Sequence, residues 1–508
     1  MSSIRSCVFV GITVFVGAMV LFTEHSSFPF YYHQDEPGKV LQVIHRRKNF
    51  HHPLLMLSTA EVARRTFLHG GAEDDPQRVV EMARTIMAGF AAASASLLAM
   101  LATRLLGLWA GLMAGLLVVT NPLLYELAHY FKEDPAFLFG IVACALAAQH
   151  FVARRSARSL VLLGVAAGVA AAGKYVGTAL VPLAALLGAG MGGGTARERW
   201  KRAGKVAGSA LLTWLVLNYR AVRSPVRFWH GLTEETGKAL LGNHGMVNEV
   251  PHLYYVGVQD VYGGPWVPAL AVLWLAFAIF RPRKVSLAEW FLAGVALVLL
   301  VVFSFTPKTS TRYYLPIAVA FCFLAAVGPF HWAALAGMRW ERSRILTGVL
   351  AVLLCVGAAW QQSGDTLELR LGLQKDDRAE LVRAVEALPP TAFIAQDQAA
   401  GLPEPERLWY HEGLEPLRQK VIGAKQACDL GSLSELRARG VTHLALNEKT
   451  FGRYFKPGLT VKDAAVVMPR RAFYETALEE GRVLQRWKLG TVRHFQPGLV
   501  LVDISGLE

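Results

Sequence analysis

Charge is scarce in this 508-residue chain. Only 18% of its residues are Asp, Glu, Lys or Arg, against 53% hydrophobic, whereas an average soluble domain carries about 25% charge. The deficit excludes an ordinary soluble globule and makes lipid the solvent for much of the chain. Cysteine is scarce too. Four of the five, Cys7, Cys144, Cys322 and Cys355, fall inside or beside apolar blocks, and only Cys428 lies in a polar region. With no CxxC pair, a disulfide framework is excluded. No nucleic-acid motif accompanies the net charge of +14. Much of the Lys and Arg sits in short loops between apolar blocks, where it sets membrane orientation rather than binding nucleic acid.

What is there is a succession of apolar blocks, near 7–23, 79–101, 105–124, 135–152, 159–173, 175–191, 206–219, 265–280, 287–305, 313–330 and 344–360. They predict about eleven transmembrane helices, and hence an α-helical polytopic membrane protein. The first block follows Arg5 like a signal peptide, but it ends in "TEHSSFPF" without a small-residue cleavage site and reads as a retained span. The basic loops 153–159, 197–202, 281–284 and 338–344 share one side, the cytoplasmic one. The loops 24–78, 125–134, 220–264 and 306–312, the turn at Gly173–Lys174, and everything after 361 then face outward. The mixed loop 24–78 opposes this assignment through Arg46, Arg47, Lys48, Arg64 and Arg65, but it also carries Asp35, Glu36, Glu61, Glu73, Asp74 and Asp75. Within it, Pro37–Lys48 and Pro53–His69 predict two amphipathic helices along the membrane surface, with Val40, Val43, Ile44, Leu54, Leu57 and Val62 as apolar members.

Composition changes after 360. Residues 1–360 form the membrane part, and 361–508 form a small α/β domain outside it. There "TAFIAQDQ", "VTHLALNE" and "GLVLVDI" predict strands, and 376–387 and 432–439 predict helices. This tail has no Gly-rich phosphate loop, metal-ligand spacing or nucleophile elbow.

The chemistry gathers in the outward loops. Asp35-Glu36-Pro37 and Glu133-Asp134-Pro135 echo each other, each placing two acids before a proline that can open a helix. Capping explains Asp134, since Asp before such a proline is a favoured cap; it would make Glu36 a poor cap and leave Asp35 unexplained. Carboxylates at a membrane interface need cationic or ligand partners. Lys132, Lys174, Lys308 and Arg312 are the outward cations available, with Tyr313 beside Arg312. Lys174 can also be read as a snorkelling helix-end lysine, and "TPKTSTRYYLP" as an aromatic belt with basic flanks. Acids and cations around a greasy interior suit a lipid-phosphate substrate whose tail stays in the membrane. Cations would hold the phosphate, and a carboxylate would accept a proton from an incoming hydroxyl. No cofactor is required. The histidines of the first loop raise a divalent metal as an alternative, but His51 and His52 are adjacent and precede a proline, unlike standard ligand spacing.

"HQDEPGK" followed by "NFHHPLL", "HYFKEDPAFLFG" (129–140), "GKYVG" (173–177) and "RYYLP" (312–316) together resemble the GT-C superfamily of polyprenyl-phosphate-sugar glycosyltransferases. The likeness is to bacterial members grouped with the protein O-mannosyltransferases of glycosyltransferase family 39 and to the lipid A aminoarabinose transferases. It covers the order of motifs over about 1–360. The resemblance implies catalysis by Asp35 as base, supported by Glu36, with a second-loop acid at Glu133 or Asp134. It also implies a donor phosphate held by basic residues, here Lys174 and Arg312, with Lys132, Lys308 and Tyr313 nearby. Gln34 stands where many relatives have proline, which bears on how the chain enters the loop. The implied partners are a polyprenyl-phosphate-linked sugar, a glycan, lipid or protein acceptor, and membrane lipids. The implied place is a bacterial inner membrane with the site facing the periplasm. A transporter or flippase of lipid-linked sugars is the alternative from another class; it would place charges near the midplane and repeat its spans. A receptor working through its outer domain would leave the acidic loops unexplained.

Overall fold

The computed structural model describes residues 4–28, 33, 35–46, 48–190, 194–241, 246–248, 259–305, 310–337, 341–404, 417–456, 459–492 and 495–507. α1 (Ile4–Thr23) is followed by the short α2 (Glu36–Ile44) and α3 (Leu55–Phe67) and then by α4 (Pro76–Leu106). α5 (Leu108–Val119) and α6 (Pro122–Ala128) form a pair bent by 64°. Next come α7 (Asp134–Arg154), α8 (Ala157–Gly173), α9 (Leu180–Gly190), α10 (Ala196–Leu217), α11 (Tyr219–Arg223), α12 (Pro225–Leu241) and α13 (Gln259–Tyr262). α14 (Trp266–Phe280), α15 (Leu287–Ser304), α16 (Leu315–Gly337) and α17 (Glu341–Gly372) complete the helical part.

The expected apolar blocks fall on these helices, with 105–124 divided between α5 and α6, but fewer of them qualify as spans by length. Six are long and apolar enough to cross a membrane among the described residues, and the bent α5–α6 pair makes seven. The rest fall short for physical reasons. α8 and α14, of 17 and 15 residues, reach only about 25 and about 22 Å at 1.5 Å per residue, less than the ~30 Å hydrocarbon core. α10 spends its first turns on Arg197, Glu198, Arg199, Lys201 and Arg202. Small residues let the helices meet closely. A Cβ on Gly140 of α7 would lie 2.4 Å from Ala170 Cα, and one on Gly173 would lie 2.7 Å from Phe137 Cα. The α7 and α8 backbones therefore touch directly, which fixes the end of α8 against the start of α7.

The two helices expected in the first long loop are α2 and α3. Val40, Val43, Leu54 and Leu57 are buried against Val79, Val80, Ala83 and Met87 of α4 and against Phe131. Val62, expected on the apolar face, is 65% exposed; it lies on the side of α3 turned away from α4.

α17 runs unbroken through the expected boundary at 360 and ends at Gly372. Beyond it, β2 (Phe393–Asp397), β3 (Lys420–Ala424), β4 (His443–Asn447), β6 (Arg482–Leu489) and β7 (Pro497–Asp503) form a five-stranded sheet in the order β3-β2-β4-β7-β6. β2 is parallel to β3 and β4, whereas β7 is antiparallel to β4 and β6. β1 (Met246–Asn248) pairs separately with β5 (Leu459–Val461), tying the loop after α12 to this domain. α18 (Asp377–Glu386) covers one face of the sheet and α21 (Ala464–Glu479) the other, with α19 (Leu433–Ala438) and α20 (Glu448–Phe451) at the strand ends. The central strands are buried on both faces, so they read as near-continuous apolar runs and were legible. β6 escaped sequence reading because it is an exposed, charged edge strand.

Asp397, fully buried at the end of β2, accepts hydrogen bonds from the Ala427 and Asn447 amides (2.7 and 2.8 Å) and the Tyr474 hydroxyl (2.7 Å). Burial pushes its carboxyl up to about 6, outweighing these donors. An unfolded Asp ionises near 3.9, so between about pH 4 and 6 the folded domain holds a proton that the unfolded chain has lost. Stability from this group therefore falls as pH rises through that window. Amide protection factors in β2 and β4 are expected to increase as pH drops from 7 to 5, and Asp397→Asn should abolish the trend.

Candidate active site

The two echoing motifs start two helices in the same way. Asp35 occupies the cap position of α2, with Glu36 first and Pro37 second in the helix; Glu133, Asp134 and Pro135 repeat this at α7. Neither cap residue makes a side-chain capping bond. Their backbones are right-handed helical (φ −93°, ψ −18°; φ −73°, ψ −16°), not the extended conformation that aims a side chain back at the first turn. This corrects the expected capping by Asp134, which is a first-turn residue, and by Glu36. Both motifs thus leave carboxylates for other partners.

Glu36 is fully buried and consumed by structure. Arg84 of α4 grips it with two bonds, Nε to Oε1 at 3.0 Å and a terminal nitrogen to Oε2 at 2.6 Å. The Phe131 amide donates to Oε1 at 2.9 Å. Arg84 also donates to the carbonyls of Ser26 and Phe28. One ion pair thereby fixes the end of the first span, the start of α2 and the loop before α7. Glu36 positions its neighbours, and its oxygens face no open space.

Asp35 differs. Its carboxylate is 40% exposed. Lys132 donates to it directly, and an Arg312 nitrogen stands 3.6 Å from the same oxygen. Burial among protein atoms pushes this carboxyl up, but Lys132, Lys39 and Arg312 together outweigh it and hold Asp35 well below the usual carboxylate range. Lys132 is itself lowered to about 8, first by burial and then by Arg312, with Asp35 opposing.

Behind this pair lies a second layer. Lys39 bonds Glu133 Oε2 at 2.7 Å and the Phe131 carbonyl at 3.3 Å. His52 Nε2 approaches Glu133 Oε1 to 3.7 Å, and burial pushes His52 down to about 4, so it is neutral near pH 7. Despite its own burial, Glu133 is held well below the ordinary range by the Lys39 and Lys132 cations. Lys174, at the end of α8, bonds Asp134 Oδ1 at 2.6 Å and lies 4.6 Å from the Tyr313 ring centre. Arg312 sits over the same ring at 5.6 Å, and Tyr313 stacks on Phe303. Glu133 Oε1 and Asp134 Oδ2 are buried without a hydrogen-bond partner among the described residues. Among the described residues, and with Glu36 and Arg84 set aside as a closed pair, the cluster holds three carboxylates against four cations, Lys39, Lys132, Lys174 and Arg312. One positive charge is in surplus, which suits an anion.

Asp35, Glu36, Lys132, Glu133, Asp134, Lys174, Arg312 and Tyr313 all meet here, brought from four loops that the charge pattern placed on one side. Lys308 lies outside the described residues. Among the described residues no three His, Cys, Asp or Glu side chains are grouped to hold a metal ion. Sequence reading gave Lys39 and Arg84 no role in the site, although each carries a signal. Glu36, Lys39, Val40 and Val43 make the buried stripe of α2, and Arg84 lies on the buried face of α4 with Val80, Met87 and Ala88. A cation inside an apolar stripe requires a buried partner.

Residues 63–211 match the family model described as dolichyl-phosphate-mannose-protein mannosyltransferase. No curated protein matches the sequence. Among solved structures, the chain is similar to ArnT from Cupriavidus metallidurans bound to undecaprenyl phosphate, with TM-score 0.52 and 17% identity over 98% of both chains. The apo state of that protein gives 0.50 and 16%, over 98% of this chain and 97% of that one. The archaeal oligosaccharyltransferase AglB from Archaeoglobus fulgidus, in complex with an inhibitory peptide and a dolichol-phosphate, gives 0.52 and 10%, over 94% and 73%. The chain shares its fold, over nearly its whole length, with ArnT.

Proposed function

We propose that this chain is an integral-membrane glycosyltransferase that moves a sugar from a polyprenyl phosphate to a hydroxyl or amine of a glycan, lipid or protein. Its place is a bacterial inner membrane, with the site and the C-terminal domain on the periplasmic face. The observation that carries this reading is Asp35: a carboxylate free of capping, open to solvent, and in contact with cations able to hold a phosphate. Asp35 takes the proton of the acceptor as its oxygen or nitrogen attacks the anomeric carbon. The carbon–oxygen bond to phosphate breaks, with inversion, and the new negative charge falls on Lys132 and Arg312, with Lys174 alongside. Glu133 and Asp134, buried behind this pair, hold Lys39 and Lys174 in place. Before the donor arrives, Lys132 and Arg312 lie on Asp35. A phosphate that draws them away leaves Asp35 a stronger base, so proton transfer is linked to donor binding. The match of ArnT, in its undecaprenyl phosphate complex, along the whole chain supports this assignment.

The direct test supplies the purified chain with a panel of undecaprenyl-phosphate-linked sugars and a hydroxyl or amine acceptor. Undecaprenyl phosphate should be released in step with glycosidic product. Passage of intact lipid-linked sugar across a proteoliposome bilayer with no product formed would instead identify a transporter. The pH dependence is also fixed. Lys132 is a cation below about 8, so kcat/KM for the donor should decline as pH rises through that value. In Lys132→Arg, whose guanidinium stays charged, the decline should vanish.

A further inference from the structure

Proton transfer at Asp35 gives the C-terminal domain no role, yet one of its side chains reaches the framework that holds Asp35. Phe495, on the turn between β6 and β7, meets Phe28 at the end of the first span edge-on, with ring centres 4.7 Å apart at 88°. Phe28 lies under the Arg84 guanidinium, whose carbon is 3.6 Å from the ring centre. Arg84 in turn grips Glu36 and the Phe28 carbonyl, and Glu36 holds the Phe131 amide. Asp35 precedes Glu36 and Lys132 follows Phe131, so this one ion pair sets the spacing of the proposed base and its cation. Phe495 is itself anchored: its carbonyl accepts the Asp377 amide at 3.0 Å, and its amide donates to the Val492 carbonyl at 3.0 Å. Val492 lies against Gly372 at the end of α17, where a Cβ would come within 2.7 Å of it. The contact is therefore held by backbone hydrogen bonds at Phe495 and by Arg84 at Phe28.

We infer that Phe495 is a positioning residue: through Phe28 and Arg84 it holds the Asp35 and Lys132 loops in register, making the C-terminal domain part of the catalytic framework. This inference rests on the glycosyltransferase reading for its effect on turnover, but not for its effect on the loops. An aromatic edge placed on a guanidinium-capped ring excludes water from the Arg84–Glu36 pair and limits tilting of that pair.

The test uses the full chain in detergent with Phe495→Ala, Phe495→Tyr and, as a control in the same domain, Val421→Ala. Val421 is buried in the sheet on the far side of β2 from β4. Amide exchange at Glu36, Gly38 and Lys39 and at residues 131–133 should speed about tenfold in Phe495→Ala, return to wild type in Phe495→Tyr, and stay unchanged in Val421→Ala. With a lipid-linked sugar that the wild type accepts, kcat per folded molecule should fall up to about 10²-fold in Phe495→Ala and recover in Phe495→Tyr. Unchanged exchange in Phe495→Ala, or equal loosening in Val421→Ala, overturns the inference. Loosened exchange in a protein whose wild type transfers no sugar would sustain the positioning role and fail the enzymatic reading instead.

Discussion

Asp35→Asn is expected to lower sugar transfer by about 10²–10⁴-fold, the usual cost of removing a general base, while leaving the protein folded. The second part follows from geometry. Asp35 makes no capping bond and its carboxylate is partly exposed; buried Lys132 loses its ionic partner, but the amide oxygen of the replacement still accepts a hydrogen bond from it. Binding gives a sharper reading than rate. The carboxylate competes with any phosphate for Lys132 and Arg312. Its neutral replacement should bind undecaprenyl phosphate as well as wild type or better, even as turnover collapses. A purely structural role would lower both together. Near-wild-type turnover by folded Asp35→Asn would remove the proposed base.

The second large effect concerns stability. Arg84→Met leaves Glu36, fully buried, without its partner. Breaking a buried pair from one side typically costs about 3–5 kcal/mol, enough to lower the melting temperature by several degrees or more. Adding Glu36→Leu removes the stranded charge, and the double variant should recover much of that stability, because replacing both members of a buried pair by apolar side chains is often neutral. Thermal unfolding in detergent compares the two. If the single and double variants melt alike, the ion pair is not what holds these loops. Turnover should remain low in the double variant, since neither new side chain can hold the Phe131 amide or the Phe28 carbonyl.

Much of this arrangement could be read from the sequence where the signal is local. Apolar blocks of span length became helices, the runs around 393–397, 443–447 and 497–503 became central strands, and acids and cations from separate loops converged. What resisted reading is non-local. Lys39 and Glu133 are 94 positions apart, and Arg84 and Glu36 are 48 apart; no periodicity predicts such pairs, only that a cation in an apolar stripe must have some partner. The capping assignment failed for a different reason. Pro37 and Pro135 sit one position deeper in their helices than the rule places them, which moves the cap onto the first acid of each motif and frees the second for a cation.

The most direct measurement is the structure of the full chain with undecaprenyl phosphate bound. The account predicts phosphate oxygens at about 2.7–2.9 Å from Lys132 Nζ and the Arg312 guanidinium, with the Asp35 carboxylate released from Lys132 and open toward the acceptor side. A headgroup seated elsewhere, with Asp35 still closed on Lys132, would contradict it.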